Sequence, residues 1–341
     1  MRKISGILVA SALVASIALV APAAHAGESI TGSGSSYMNS MQQTCSANYK
    51  RDTRDDVSYT SKGSSTGKSE FASGATNFGG TDSLYSSGAP KNFVYVPLVG
   101  GPIAIVFNVK GVKSLNLTPA LMSGIFTGKI TKWNDAKIKA VNAAVASKLP
   151  NKTIQVVFRS DGSGTTNNFG AYMASTAGGK WKAADAWADA SGSTKGTGAA
   201  KNAGIVTTVK GLANSISYAD LADVATAGIP FAAIQNPTGK FVKPTVAASA
   251  RFLAASPIAA NGQVLFNYKK KVEGGYNLTL VAYGLAPTKG GATGTGAAES
   301  VRKYFTYFIN TCAPKEAAKI GYVAISGALK TKAIELVKKI K

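Results

Sequence analysis

The sequence predicts an α/β protein of two lobes, on three observations. Apolar, β-branched runs alternate with Ala-rich helical runs along the chain, the pattern of a sheet covered by helices. The chain has 341 residues, and the 315 that follow an N-terminal export segment favour two lobes over one small domain. Residues 94–107 are long for one strand and are interrupted by Gly100-Gly101-Pro102, so they read as a crossing between lobes, with residues 276–285 as the candidate return crossing. The expected boundaries are 27–101 with 281–341 for the first lobe and 102–280 for the second.

Residues 1–26 read as a secretory signal peptide. Arg2 and Lys3 form a basic start, residues 7–20 are apolar, and Ala24-His25-Ala26 is a small-residue cleavage site with cleavage expected after Ala26. The apolar run is too short to span a membrane. A periplasmic or secreted location is therefore expected. The next residue is Gly27 rather than Cys, so no lipid anchor on an N-terminal Cys is expected.

His25 is the only histidine. A chain cleaved after Ala26 has none, which removes Ser-His-Asp and Cys-His catalysis, His-ligated zinc and His acid–base chemistry. No catalytic residue, metal or cofactor is expected. Cys45 and Cys312 are the only cysteines, and in an exported chain an even pair reads as one disulfide, with unlinked buried thiols as the alternative. The formal net charge of +22 becomes +20 without Arg2 and Lys3. Much of it is Lys on polar faces, as at Lys269-Lys270-Lys271 and at Lys338, Lys339 and Lys341. The interleaving of basic and aromatic residues found in RNA and single-strand binders is missing, so no nucleic-acid partner is expected. A basic field suits small anions or anionic cell-surface polymers, or is simply a soluble surface.

Taken in order, residues 28–32 form a short strand, and Gly32-Ser33-Gly34-Ser35-Ser36-Tyr37 turns it into a helix running past Cys45 to about Tyr49. Residues 57–60 form a second strand, and Gly63-Ser64-Ser65-Thr66-Gly67-Lys68 opens a helix through residue 73. Residues 77–82 form a third strand that ends on Asp82. Residues 121–126 are helical, and 128–133 leave that helix. The strand 153–158 runs into Phe158-Arg159-Ser160-Asp161-Gly162-Ser163-Gly164-Thr165-Thr166, and a helix follows over 165–175. Residues 180–197 read as loop, 202–212 as helix and 215–218 as strand, while 236–275 give a mixed signal. A polar loop over 287–296 precedes helices at 301–310 and 329–340. In the last of these, Leu329, Ala333, Leu336, Val337 and Ile340 share one face.

Strand-to-helix turns rich in Gly and Ser thus occur near residues 34, 64 and 162. A helix start has unpaired N–H groups and the positive end of the dipole, and so attracts anions. Arg159 can fork two hydrogen bonds onto an oxyanion. The bland alternative is a loop that only caps a helix. Gly63-Ser64-Ser65-Thr66-Gly67-Lys68-Ser69 resembles a nucleotide P-loop but has three residues between its glycines where the motif needs four. Asp82 is either a solvated turn carboxylate or an acceptor facing an anion. In the second case it repels a fully deprotonated oxyanion and accepts a hydrogen bond from one that keeps a proton, favouring phosphate over sulfate. Asp161 either orients Arg159 or caps the next helix.

These residues together resemble the periplasmic phosphate-binding proteins that serve bacterial phosphate ABC transporters. Thr31-Gly32-Ser33-Gly34-Ser35-Ser36-Tyr37, Gly63-Ser64-Ser65 and Asn77-Phe78-Gly79-Gly80-Thr81-Asp82 match the family's opening segments. Phe126-Thr127-Gly128-Lys129-Ile130-Thr131-Lys132-Trp133-Asn134-Asp135 and Arg159-Ser160-Asp161-Gly162-Ser163-Gly164-Thr165 match its more specific later ones. The weaker blocks Lys201-Asn202-Ala203-Gly204-Ile205 and Ser215-Ile216-Ser217-Tyr218 follow. The likeness covers nearly all of residues 28–220 and fades beyond them. It departs at Tyr37, where Phe is common, at Asn77 and at Asn277.

The resemblance implies a type II periplasmic binding protein, two α/β lobes joined by two hinge-crossing strands. It implies a phosphate ligand held by Ser36, Tyr37 (through its backbone N–H), Ser64, Asp82, Arg159, Ser163, Gly164 and Thr165, with Asp161 behind Arg159. The implied partners are inorganic phosphate and a membrane permease, the implied state is a monomer, and no enzymatic activity is implied. Strong basicity leaves a second expectation, an extracellular phosphate scavenger or a basic cell-surface or matrix protein not coupled to a permease. A secreted phosphatase or phosphotransferase is the reading from another class.

Overall fold

The computed structural model describes residues 28–289 and 295–341. The expected signal peptide, with His25 and the Ala26 cleavage site, and the middle of the 287–296 loop lie outside the described residues. In chain order, β1 (Ser29–Gly34) leads into α1 (Asn39–Thr53) and β2 (Asp56–Ser61) into α2 (Ser64–Ala72), followed by β3 (Phe78–Thr81). The long β4 (Phe93–Asn108) comes next, then β5 (Asn116–Leu117), α3 (Pro119–Phe126) and α4 (Ala136–Ala140). β6 (Gln155–Arg159) runs into α5 (Gly164–Thr176), followed by α6 (Trp187–Ser191), β7 (Thr197–Ala199), α7 (Lys201–Gly211), β8 (Ser215–Asp220) and α8 (Leu221–Ala227). β9 (Ala233–Gln235), β10 (Phe241–Val242) and α9 (Val246–Ala254) precede β11 (Thr279–Pro287). The chain closes with α10 (Thr295–Tyr307), α11 (Ala313–Glu316), β12 (Val323–Ala324) and α12 (Gly327–Val337).

One nine-stranded sheet runs in the order β2-β1-β3-β11-β4-β8-β6-β7, with β12 also on β4. β1 lies parallel to β2 and β3, as short βαβ crossovers require, and β11 is inserted antiparallel between β3 and β4. β4 is shared between the two halves. Its stretch from Phe93 to Pro102 pairs with β11, and its stretch from Ile103 to Asn108 pairs with β8. At the handover the Ile103 N–H donates to the Leu278 carbonyl at 3.0 Å. Every residue from Val96 to Phe107 is buried, which explains the unbroken apolar run in the sequence.

Gly100-Gly101-Pro102 therefore does not interrupt the strand. A Cβ on Gly101 would lie 2.5 Å from the Tyr37 hydroxyl oxygen, so glycine here admits a neighbouring ring rather than ending the element. The segment 180–197, expected to be loop, contains α6. Trp187 is 3% exposed and stacks on Phe158 and Tyr218 at 5.5 and 5.8 Å between centroids, and that burial outweighs a Gly/Ser-rich local preference. The unparsed 236–275 region holds β10 and α9.

Cys45 on α1 is disulfide-bonded to Cys312, in the π-helical turn after α10, with Cα atoms 5.6 Å apart and a sequence separation of 267. Closing so long a loop restricts the unfolded chain strongly. Cys45→Ser with Cys312→Ser should lower the free energy of unfolding by about 2–5 kcal/mol. Denaturant titration of oxidised and variant protein checks this, and superimposable curves would contradict it.

Candidate functional site

The site grows from the end of β6. Arg159 is its last residue and is 2% exposed. Its Nε donates to Asp161 Oδ1 at 2.7 Å and its Nη2 to Asp161 Oδ2 at 2.5 Å, a two-point fork. Asp161 also accepts the Lys201 N–H at 3.0 Å. Burial alone would raise the Asp161 pKa, but the guanidinium beside it more than offsets this and holds the group below the usual carboxylate range. Asp161 thus orients Arg159. The helix cap is Ser163, whose Oγ accepts the Thr166 N–H at 3.1 Å. The third guanidinium nitrogen, Nη1, is buried with no hydrogen-bond partner among the described residues.

Beneath this loop lies an aromatic stack. Phe169 and Tyr218 are 4.7 Å apart and nearly parallel, and Trp187 also stacks on Tyr218. The Tyr218 hydroxyl bonds Thr166 Oγ1 at 2.7 Å and receives the Arg159 N–H at 3.4 Å. The rings fix the register between β6 and the first turn of α5.

Opposite stands Asp82, just past β3 and 4% exposed. Its Oδ1 accepts Ser35 Oγ at 2.5 Å, its Oδ2 lies 3.5 Å from Ser64 Oγ, and its own N–H donates to Ser64 Oγ at 3.1 Å. Burial pushes the Asp82 carboxyl up to about 7, against the Ser35 hydrogen bond and the Arg159 charge, which favour ionisation. The start of α5 comes directly against it. A Cβ on Gly164 would lie 2.6 Å from Ser64 Oγ and 2.7 Å from Asp82 Cβ, so only glycine fits. Asn168 Nδ2 on α5 donates to the Asp82 carbonyl at 2.6 Å.

Ser64, Asp82 and Gly164 are thus brought together directly, with Ser163 next to Gly164 as the cap of α5. Ser36 and Thr165 are joined through Asn202 at the start of α7. Its N–H and Nδ2 both donate to Ser36 Oγ at 3.2 Å, and Nδ2 lies 3.4 Å from Thr165 Oγ1. The Tyr37 N–H reaches Ser35 Oγ at 3.1 Å, and its buried ring points away, with the hydroxyl on the Pro102 carbonyl at 3.3 Å. Ser35, Asn202 and Tyr218 were not singled out from the sequence. All three lie inside quoted motifs, and nothing local separates their roles from those of their neighbours. Lys68 of the P-loop look-alike donates to Asp185 Oδ2, Ser83 Oγ and the Leu84 carbonyl at 2.9, 3.0 and 3.1 Å, so its ammonium is fully engaged.

A family model described as a PBP superfamily domain matches residues 20–311. Phosphate-binding protein PstS 3 of Mycobacterium leprae is 33% identical over 274 residues, covering 74% of this chain and 69% of that protein. Phosphate-binding protein PstS of Haemophilus influenzae is 33% identical, covering 67% and 68%. Among solved structures, a phosphate-binding protein from Stenotrophomonas maltophilia superimposes with a TM-score of 0.65 at 18% identity over 91% of this chain and 94% of that one, a likeness of fold. The chain is a two-lobed α/β binding protein of type II and belongs to the PBP superfamily, and within it to the PstS phosphate-binding proteins.

Proposed function

We propose that this protein binds inorganic phosphate between its lobes and delivers it to the permease of a phosphate ABC transporter. The observation that carries the reading is Arg159, a buried guanidinium with Asp161 on two nitrogens and Nη1 without a partner among the described residues. A buried cation whose hydrogen bonds are incomplete calls for an anion. The first N–H groups of α5, which no residue of that helix can accept, and the hydroxyls of Ser36, Ser64 and Thr165 supply neutral donors around it.

In this reading Ser36, Tyr37, Ser64, Asp82, Arg159, Ser163, Gly164 and Thr165 are the ligand contacts and Asp161 positions Arg159. The lobes are 27–101 with 281–341, and 102–280. The protein acts as a monomer without catalysis or nucleic acid, in the periplasm or outside the cell, after cleavage behind Ala26. The family consists of substrate-binding proteins, which supports the non-enzymatic part.

Asp82 gives the site its selectivity. With a carboxyl that titrates at about 7, Asp82 and phosphate share a proton that either can supply near neutral pH. Sulfate carries none and is accepted only by the protonated carboxyl. Sulfate affinity should therefore fall as pH rises through about 7, leaving phosphate favoured by about tenfold to a hundredfold in alkaline buffer. Calorimetry on the mature protein checks this, and equal affinities at pH 8 would reject it. Asp82→Asn, which offers an amide donor at every pH, should admit sulfate throughout.

The same carboxyl links stability to pH. Its folded pKa lies above the ordinary 3.8, so its contribution to phosphate-free stability is complete below about pH 4 and is lost as pH rises through about 7. The loss amounts to at most about 4 kcal/mol. Burial also raises the Asp220 and Asp223 carboxyls, so the difference between wild type and Asp82→Asn is the quantity to measure. A difference independent of pH from 4 to 8 would refute the assignment.

A further inference from the structure

The P-loop look-alike Lys68 has no role in the ligand set, yet it is almost withdrawn from solvent, and so is its partner. The Lys68 and Asp185 side chains are 11% and 16% exposed. Lys68 lies on α2, in the proposed first lobe, and Asp185 lies between α5 and α6, in the proposed second lobe. Asp185 Oδ2 takes Lys68 Nζ at 2.9 Å and Ser65 Oγ at 2.8 Å, both from α2, while Oδ1 takes Asn167 Nδ2 of α5 at 3.0 Å. The Asp185 carbonyl accepts the N–H of Ser163, the cap of α5, at 3.0 Å, and the Ser65 N–H donates to the Gly162 carbonyl at 3.1 Å. The pair therefore ties α2 to the loop that carries Arg159, Ser163 and Gly164.

We propose that Lys68 and Asp185 form a clasp that closes only when the lobes meet and that sets how long bound phosphate is retained. This rests on the phosphate reading of the site. Both partners lose water on pairing, and burial opposes ionisation of Asp185, but the Lys68 charge beside it outweighs this and keeps the carboxyl below its usual range. The clasp carries no net charge, so it contributes little to drawing an anion in. Its bonds form after capture and must break before release, so they act on dissociation rather than association. Neither residue hydrogen-bonds to Asp82, but the Asp185 charge helps to raise the Asp82 carboxyl, so Asp185→Asn should move the loss of sulfate affinity to lower pH while leaving phosphate favoured at pH 8.

The test is stopped-flow measurement of inorganic phosphate binding and release by the full mature protein, wild type against Lys68→Met, Asp185→Asn and the double variant. Each single variant should release phosphate about tenfold faster or more, with association within about twofold of wild type. The preference for phosphate over sulfate at pH 8, where Asp82 is ionised, and the melting temperature without phosphate should not change. The double variant should resemble the faster single one, because either change alone opens the clasp. Unchanged release in folded single variants, or effects that multiply in the double, would overturn the clasp alone. Absence of phosphate binding by wild type would overturn the site reading and the clasp's kinetic role with it. Should a charge variant fail to fold, Ser65→Ala removes one hydroxyl from the same carboxylate. It should speed release about threefold, and no change there also overturns the proposal.

Discussion

The structure depends on making a buried guanidinium tolerable. A charge removed from water at the end of β6 is costly unless its hydrogen bonds are met. Asp161 meets two of them from two residues away, and the Lys201 N–H holds Asp161 in turn. The Tyr218 hydroxyl, in the aromatic stack, holds the Arg159 N–H. The unmet nitrogen, the opening turn of α5 and the protonatable Asp82 then form one electrostatic unit. Cation and acceptor are separated by neutral donors, an arrangement suited to an ion that is both anionic and a proton donor.

The geometry of that unit is a property of the sheet. β3 delivers Asp82 and β6 delivers Arg159, and these strands belong to opposite halves of one continuous sheet. The only strand hydrogen-bonded into both halves in the sheet of described residues is β4, which changes partners between Pro102 and Ile103. That handover lies beside the buried Tyr37 ring and Gly101, whose close packing restricts how one half could turn against the other.

Much of this was legible because local chemistry dictates it. A strand that ends on Arg159 and a helix that starts with Ser163-Gly164 are written in adjacent residues, and Asp82 closes an apolar run. The disulfide followed from cysteine parity. What escaped was set by tertiary pairing. Whether Ser35 or Ser36 faces Asp82 is decided by backbone direction in a Gly-rich turn that has no period to read. Asp185 sits in a stretch without helical or strand rhythm, and Lys68 is 117 residues from it. The apparent break at Gly100-Gly101-Pro102 misled because small residues in a strand can mark a close neighbour as well as an end.

The insertion of β11 between β3 and β4 has a consequence for the order in which the molecule can be completed. The strand that carries Asp82 has β1 on one side and waits for residues 279–287 on the other. Until those residues have been synthesised, β3 presents bare amides and carbonyls, and Cys45 has no partner until residue 312 follows. The earliest-made part of the chain is thus finished by the latest, so a prematurely terminated product would expose an adhesive edge and a free thiol together.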